Sequence, residues 1–161
     1  MTDELHPNAA RVVAAARAAG LDVRPVRQPD GAKTAADAAA AIGVDVGQIV
    51  KSLIFDVDGE IVLAFVSGAD QLDEARLAAA AGGANCGRVD GRTVRDVTGF
   101  PIGGVPPFGH LRPLRAFADR GLLDHYEVLA AAGTWHDVFP IAPDDLVRAS
   151  DATVTALKRT T

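Results

Sequence analysis

The sequence predicts an α+β fold: a mixed, curved, barrel-like β-sheet surrounded by α-helices, in a single domain over residues 1–161. Three observations lead there. Two β-rich runs, Ile49–Val57 and Glu60–Ser67, flank Asp58-Gly59, the dipeptide of a type I′ turn, and so predict a hairpin. Alanine-rich stretches that end at a glycine predict helices between the strands. A length of 161 residues with 48% apolar and 23% charged content suits one globular domain with a real core.

In chain order, Asn8 to Ala19 predicts the first helix, with Val12, Val13 and Ala16 as its apolar stripe and Gly20 as terminator. Asp22 to Arg27 alternates weakly and contains Pro25, as an edge strand does. Thr34 to Ile42 predicts a second helix, because Thr34 and Asp37 have capping-box spacing and Gly43 follows. Within the hairpin, alternation puts Ile49, Lys51, Leu53, Phe55 and Val57 on one face. A lysine on that face either snorkels past the sheet end or sits in a cavity with a polar or anionic partner, since burying an unpaired ammonium is costly. Asp70 is read as the cap of a third helix, Leu72 to Ala81. Asn85 to Val89 follows as a short strand and Asp90 to Val97 as a short helix. Leu114 to Ala118 and Glu127 to Ala131 are strands around a helical turn at Leu122 to His125. Trp135 to Ile141 is a strand, and Pro143 with Asp144 and Asp145 opens a last helix.

Several function classes are excluded or weakened by composition. Net charge is −5, against a general nucleic-acid coat protein, yet Arg88 to Arg120 holds six arginines against three aspartates, a local field suited to an anionic ligand or to a solvated surface. The single cysteine, Cys86, forbids an internal disulfide, and His6, His110, His125 and His136 lack metal-ligand spacing, so a metal-free cytoplasmic protein without cofactor is expected. Met1-Thr2-Asp3-Glu4 carries no signal-peptide pattern and no apolar run reaches membrane length.

Thr98 to His110 stands apart. Seven of its thirteen residues are Gly or Pro, yet Phe100, Ile102, Val105 and Phe108 are apolar and need cover. Glycine permits positive φ and close approach, and proline stiffens, so the stretch suits a rigid loop that presents backbone N–H groups to a ligand. It suits equally a structural crossover whose apolar residues plug the core.

Three pieces now combine: Gln48-Ile49-Val50-Lys51-Ser52-Leu53-Ile54-Phe55, Thr98-Gly99-Phe100 followed by Gly103-Gly104-Val105-Pro106-Pro107-Phe108-Gly109, and Gly133 through Phe139 leading to Ala142-Pro143-Asp144-Asp145-Leu146. In order and spacing they resemble the YbaK family of aminoacyl-tRNA deacylases, related to the editing domain of bacterial prolyl-tRNA synthetase. The resemblance runs from the first helix to about Leu146.

It implies a trans-editing hydrolase that cleaves the ester joining a wrong, small amino acid to the 3′ end of a tRNA. By the same resemblance Lys51 binds and orients the substrate end, and the backbone of Gly103 and Gly104 cradles the reacting carbonyl. Ser52, Val105, Pro106, Gly133, Thr134 and His136 are implied to line the substrate site, His136 reading equally as a strand histidine satisfied by a neighbour. Water is the nucleophile, assisted by a substrate ribose hydroxyl, with no metal. The implied partners are the aminoacylated tRNA end and, as a further candidate, a synthetase. In the turn Ala130-Ala131-Ala132-Gly133-Thr134 the chain lacks the serine of the cysteine-specific branch. The rival reading is a non-catalytic module of the same fold that binds aminoacyl-tRNA or a synthetase. A mononucleotide site is disfavoured, because no Gly-Lys-Ser/Thr or Gly-x-Gly-x-x-Gly motif is present.

Overall fold

The computed structural model describes residues 5–28, 30–32 and 34–160. The Met1–Glu4 stretch, read above for targeting signals, lies outside them.

Helix α1 (Pro7–Ala18) begins with proline in its first turn, where the missing N–H costs nothing, and its Ala9, Val12 and Ala16 are fully buried. A two-residue strand β1 (Val26–Arg27) follows, shorter than expected because Pro25 and its predecessors make no ladder. In α2 (Ala35–Ile42) the Thr34 side chain accepts from Asp37 N, and Gly43 closes the helix in the left-handed region, as predicted.

The hairpin is as expected: β2 (Val50–Val57) and β3 (Glu60–Ser67) pair antiparallel with Val57 opposite Glu60 across Asp58-Gly59. Then come α3 (Glu74–Ala80), β4 (Cys86–Arg88) and α4 (Gly91–Thr98), the last capped by Asp90. Strands β5 (Arg115–Asp119), β6 (Val128–Ala131) and β7 (Asp137–Ile141), helix α5 (Pro143–Ser150) and strand β8 (Thr153–Thr155) complete the order.

Two expectations are corrected. The third helix starts at Glu74 under an Asp73 cap, not at Leu72 under Asp70. Residues 71–73 are instead drawn into pairing with the C-terminal segment, where Asp73 N–H meets Leu157 O at 2.7 Å and Arg159 N–H meets Gln71 O at 2.7 Å. The second correction concerns the sheet. The described strands form two sheets, β1-β7-β6 and β4-β2-β3-β5-β8, and neither closes into a barrel. Among the described residues, the bridge between Ile49 and Leu129 links them. β4 covers the outer edge of β2 only from Phe55 to Val57, so the ladder cannot continue around.

The five-stranded sheet is buried on both sides, which explains the unbroken apolar run Ile61–Val66 in β3. On one face Ile54, Leu63, Phe65 and Ala118 pack with α1, Phe100, Val105 and Phe139. On the other, Phe55, Val57, Val62 and Phe117 pack with Leu77 of α3 and with Leu157. No helix among the described residues is long and apolar enough to cross a membrane.

Candidate active site

In a two-residue hairpin the residues flanking the turn exchange hydrogen bonds, so odd-numbered residues of β2 turn their backbone groups toward β3. Ile49 O accepts from Gly68 N at 2.6 Å in the same register. Even-numbered residues turn theirs outward. Between the Ile49–Leu129 bridge and the start of the β4 pairing, this outer edge at Ser52 is uncovered. It opens on a cleft of about 770 Å³ that wraps the edge and so receives side chains from both faces of β2.

Lys51 enters from the α3 face. Its Nζ donates to the carbonyl of Asp70, so the ammonium sits within the cleft rather than snorkelling away. Burial lowers its pKa, and the Asp70 charge works against that shift. Ser52 enters from the opposite face, and its Oγ is buried with no hydrogen-bond partner among the described residues. Arg88 and Arg159 add positive charge to the lining and Glu74 a negative one. Arg159 is tied through its guanidinium to Gln71 Oε1 at 3.1 Å, one residue from the carbonyl that holds Lys51. Sequence reasoning missed Arg159, because nothing local connects residues 157–159 to residues 70–73.

The loop from Thr98 to His110 forms the facing wall, and it is tied down along its length. Thr98 Oγ1 donates to Val94 O and accepts from Phe100 N. His110 Nε2 lies 2.7 Å from Pro106 O, and burial lowers the His110 pKa, so the neutral ring donates there. The indole N–H of Trp135 donates to Ile102 O at 2.7 Å. Phe100, Val105 and Phe108 are buried as expected, whereas Ile102 is 54% exposed at the cleft rim.

The two central glycines divide their tasks. Gly103 takes φ +83°, and Gly104 N–H donates to Pro101 O at 2.9 Å, closing a turn of the type that needs glycine at its third position. Gly104 N–H is thereby used inside the loop. Gly103 N–H meets no acceptor among the described residues, and Gly103 lines the cleft. Gly104 is needed for a different reason: a Cβ there would lie 3.0 Å from Thr134 N and 3.1 Å from Gly133 C, so the loop packs backbone against backbone. Val105 reaches the cleft lining, while Pro106 is buried behind it.

The third motif straddles the cleft. Thr134 lines it, with its hydroxyl donating to Asp137 Oδ2 at 2.5 Å. Asp137 is buried and also receives Arg27 at 2.9 Å, so the turn is braced by a paired carboxylate. Gly133 and His136 do not reach the main cleft. They line a shallower depression of about 290 Å³ beside it, together with Trp135, Arg95 and His6. His136 Nδ1 lies 3.0 Å from Gln28 O, which satisfies one ring nitrogen. Cys86 takes no part: burial, with Glu74 and Asp56 nearby, pushes its thiol up to about 11, so it is no nucleophile at neutral pH. Among the described residues no three His, Cys, Asp or Glu side chains converge as metal ligands do.

Lys51 and Gly103 thus line one cleft, the lysine from β2 and the glycine from the loop. Residues 29–149 match the aminoacyl-tRNA editing domain family. The chain belongs to that family. Among curated relatives, the proline–tRNA ligase of Maridesulfovibrio salexigens is 35% identical over 102 residues, 63% of this chain and 17% of the ligase. That of Desulforamulus reducens is 37% identical over 99 residues, 62% of this chain and 17% of the ligase. The chain thus spans about a sixth of the length of these ligases. A crystal structure of a candidate trans-editing enzyme for prolyl-tRNA synthetase is similar with TM-score 0.92 and 40% identity, covering 98% of this chain and 100% of that one. Another, of a hypothetical protein, has TM-score 0.86 and 29% identity, covering 92% and 99%. Arg159, which lines the cleft, and Leu157, which is buried in the core beneath α3, lie past the stretch matched to the editing domain family.

Proposed function

We propose that this chain is a trans-acting deacylase that hydrolyses the ester of mischarged aminoacyl-tRNA carrying a small amino acid. The observation that carries this reading is that Lys51, Ser52 and Gly103 line one cleft, where Lys51 Nζ is held on the Asp70 carbonyl and Gly103 N–H meets no acceptor among the described residues. Lys51 meets phosphate or ribose of the terminal nucleotide. Gly103 N–H donates to the oxygen of the ester carbonyl as it becomes an oxyanion, and Ser52 borders the aminoacyl group.

Water adds to the carbonyl carbon, the bond to the ribose oxygen breaks, and the leaving ribose oxygen takes a proton, giving free amino acid and tRNA. An aminoacyl ester is already activated, so positioning and one preorganised donor are sufficient without a protein nucleophile. The acyl pocket is walled by Val50, Ile54, Val105 and Leu129, which favours a small apolar side chain. Such a sieve is needed because a synthetase pocket separates substrates differing by one methylene by only about 1–3 kcal/mol. Residues 1–161 act as one unit in the cytoplasm, on tRNA that a synthetase has released, with the relation to prolyl-tRNA synthetase supported by the curated relatives.

The test is a panel of tRNAs mischarged with different small amino acids, incubated without nucleotide or metal. Release of amino acid from at least one, faster than spontaneous hydrolysis, is expected. Tight binding of charged tRNA with no release from any would make the chain a non-catalytic module instead.

A further inference from the structure

We propose that the depression beside the cleft is a nucleotide subsite, in which Trp135 stacks the base preceding the aminoacylated nucleoside and Arg95 meets a backbone phosphate. This rests on the deacylase reading above and deepens it.

Trp135 is the only tryptophan, and it is 45% exposed while all six phenylalanines are buried. Leaving so large an apolar ring in water gives up burial that the core phenylalanines enjoy. The ring is nevertheless held in place, since its N–H donates to Ile102 O at 2.7 Å. It also abuts the reactive loop: a Cβ on Gly103 would lie 3.0 Å from the indole Nε1. A fixed aromatic face one residue from the proposed oxyanion donor is placed to receive the next unit of a chain whose end lies in the cleft.

The rest of the depression fits the same ligand. Arg95, on the last turn of α4, is exposed and its side chain makes no hydrogen bond or ion pair among the described residues. His6, exposed at the start of α1, and His136 lie around the same depression. Thr134 lines both the depression and the cleft, so the two are contiguous. An aromatic platform with a free guanidinium is the chemistry that holds single-stranded nucleic acid without reading its sequence.

The experiment compares two substrates, aminoacyl-tRNA and the corresponding 3′-aminoacyl-adenosine, which lacks the preceding nucleotide. Variants are Trp135→Leu, Trp135→Phe and Arg95→Gln. The measured quantity is kcat/KM on the tRNA divided by kcat/KM on the short ester. Trp135→Leu is expected to lower this ratio by about 5- to 150-fold, the range of one base–aromatic stack, mainly through KM. Trp135→Phe should largely restore it, and Arg95→Gln, at an exposed position that cannot unfold the chain, should lower it as well.

In parallel, the fluorescence of the single tryptophan is followed while the uncharged trinucleotide cytidylyl-cytidylyl-adenosine, and separately adenosine, are titrated in. Quenching by the trinucleotide and not by adenosine is expected. A ratio unchanged in both Trp135→Leu and Arg95→Gln, or equal losses on both substrates, overturns the subsite. Trinucleotide quenching in a protein that hydrolyses neither ester would keep the subsite and sink the deacylase reading. Absence of quenching in a protein that hydrolyses both would do the reverse.

Discussion

Lys51 and Ser52 are neighbours in sequence but lie on opposite faces of β2, and both reach one cleft because the strand edge between the Leu129 bridge and β4 is uncovered. A fully paired strand would have separated them by the thickness of the sheet. The site therefore exists where the ladder stops.

For Lys51 the expected result is loss of activity without loss of fold. Lys51→Ala removes a charged hydrogen-bonding group worth about 1.5–3 kcal/mol, or roughly 10- to 150-fold in kcat/KM, and leaves no apolar cavity in the core. The charge also predicts a pH profile. Because burial lowers the Lys51 pKa below its ordinary 10.5, the ammonium is lost at lower pH than on an exposed lysine. Binding of uncharged tRNA should thus weaken as pH rises through that lowered value, and Lys51→Ala should abolish this arm. A folded Lys51→Ala protein with full activity would end the assignment.

Gly103 and Gly104 should fail differently when replaced. Gly104→Ala forces a Cβ against the backbone of Gly133 and Thr134, so it should cost about 1–3 kcal/mol of stability in a denaturant melt. Gly103→Ala adds strain at φ +83° and pushes on Trp135, displacing the free N–H. Its single-turnover rate should fall on the order of 100-fold if that N–H serves the oxyanion. A stable Gly103→Ala protein with an unchanged rate would reduce the loop to scaffold.

Acid should loosen the loop through His110. The folded protein holds this ring neutral by burial, while the unfolded chain titrates near the ordinary 6.5. Between the lowered folded value and 6.5 the unfolded state binds more protons, so stability rises with pH there and falls on acidification. Urea midpoints at pH 7.5 and 5.5 should therefore diverge more for the wild type than for His110→Gln, which keeps a donor for Pro106 O and does not titrate. Equal divergence in the two proteins would remove His110 as the cause.

The C-terminal segment should prove necessary for the site. Leu157 is fully buried against Leu77 and Phe117, and its N–H and that of Lys158 donate to the buried carboxylate of Asp119 at 2.7 and 3.1 Å. Leu157→Ala should cost about 2–5 kcal/mol and weaken tRNA binding as Arg159 loses its placement. Calorimetry and a binding isotherm would show both effects. A variant as stable and as tight-binding as wild type would remove Leu157 as the anchor that places Arg159.

Local chemistry explains what was legible in the sequence. The hairpin followed from Asp58-Gly59, α2 from Thr34 and Gly43, and α5 from Pro143, because turns and caps are set by residues a few positions apart. Lys51 stood out on an apolar face, and the loop from Thr98 to His110 stood out by its glycines and prolines.

Pairings between distant segments were decided only by the tertiary structure. The start of α3 moved from Leu72 to Glu74 because the C-terminal segment claims residues 71–73, a contact with no local signature. The division into two sheets, the placement of Arg159, and the use of Gly104 N–H within the loop while that of Gly103 stays free have the same origin. Backbone hydrogen bonds across long sequence separations depend on which edges meet, and that is settled by burying both faces of β3 at once rather than by any residue's own preference.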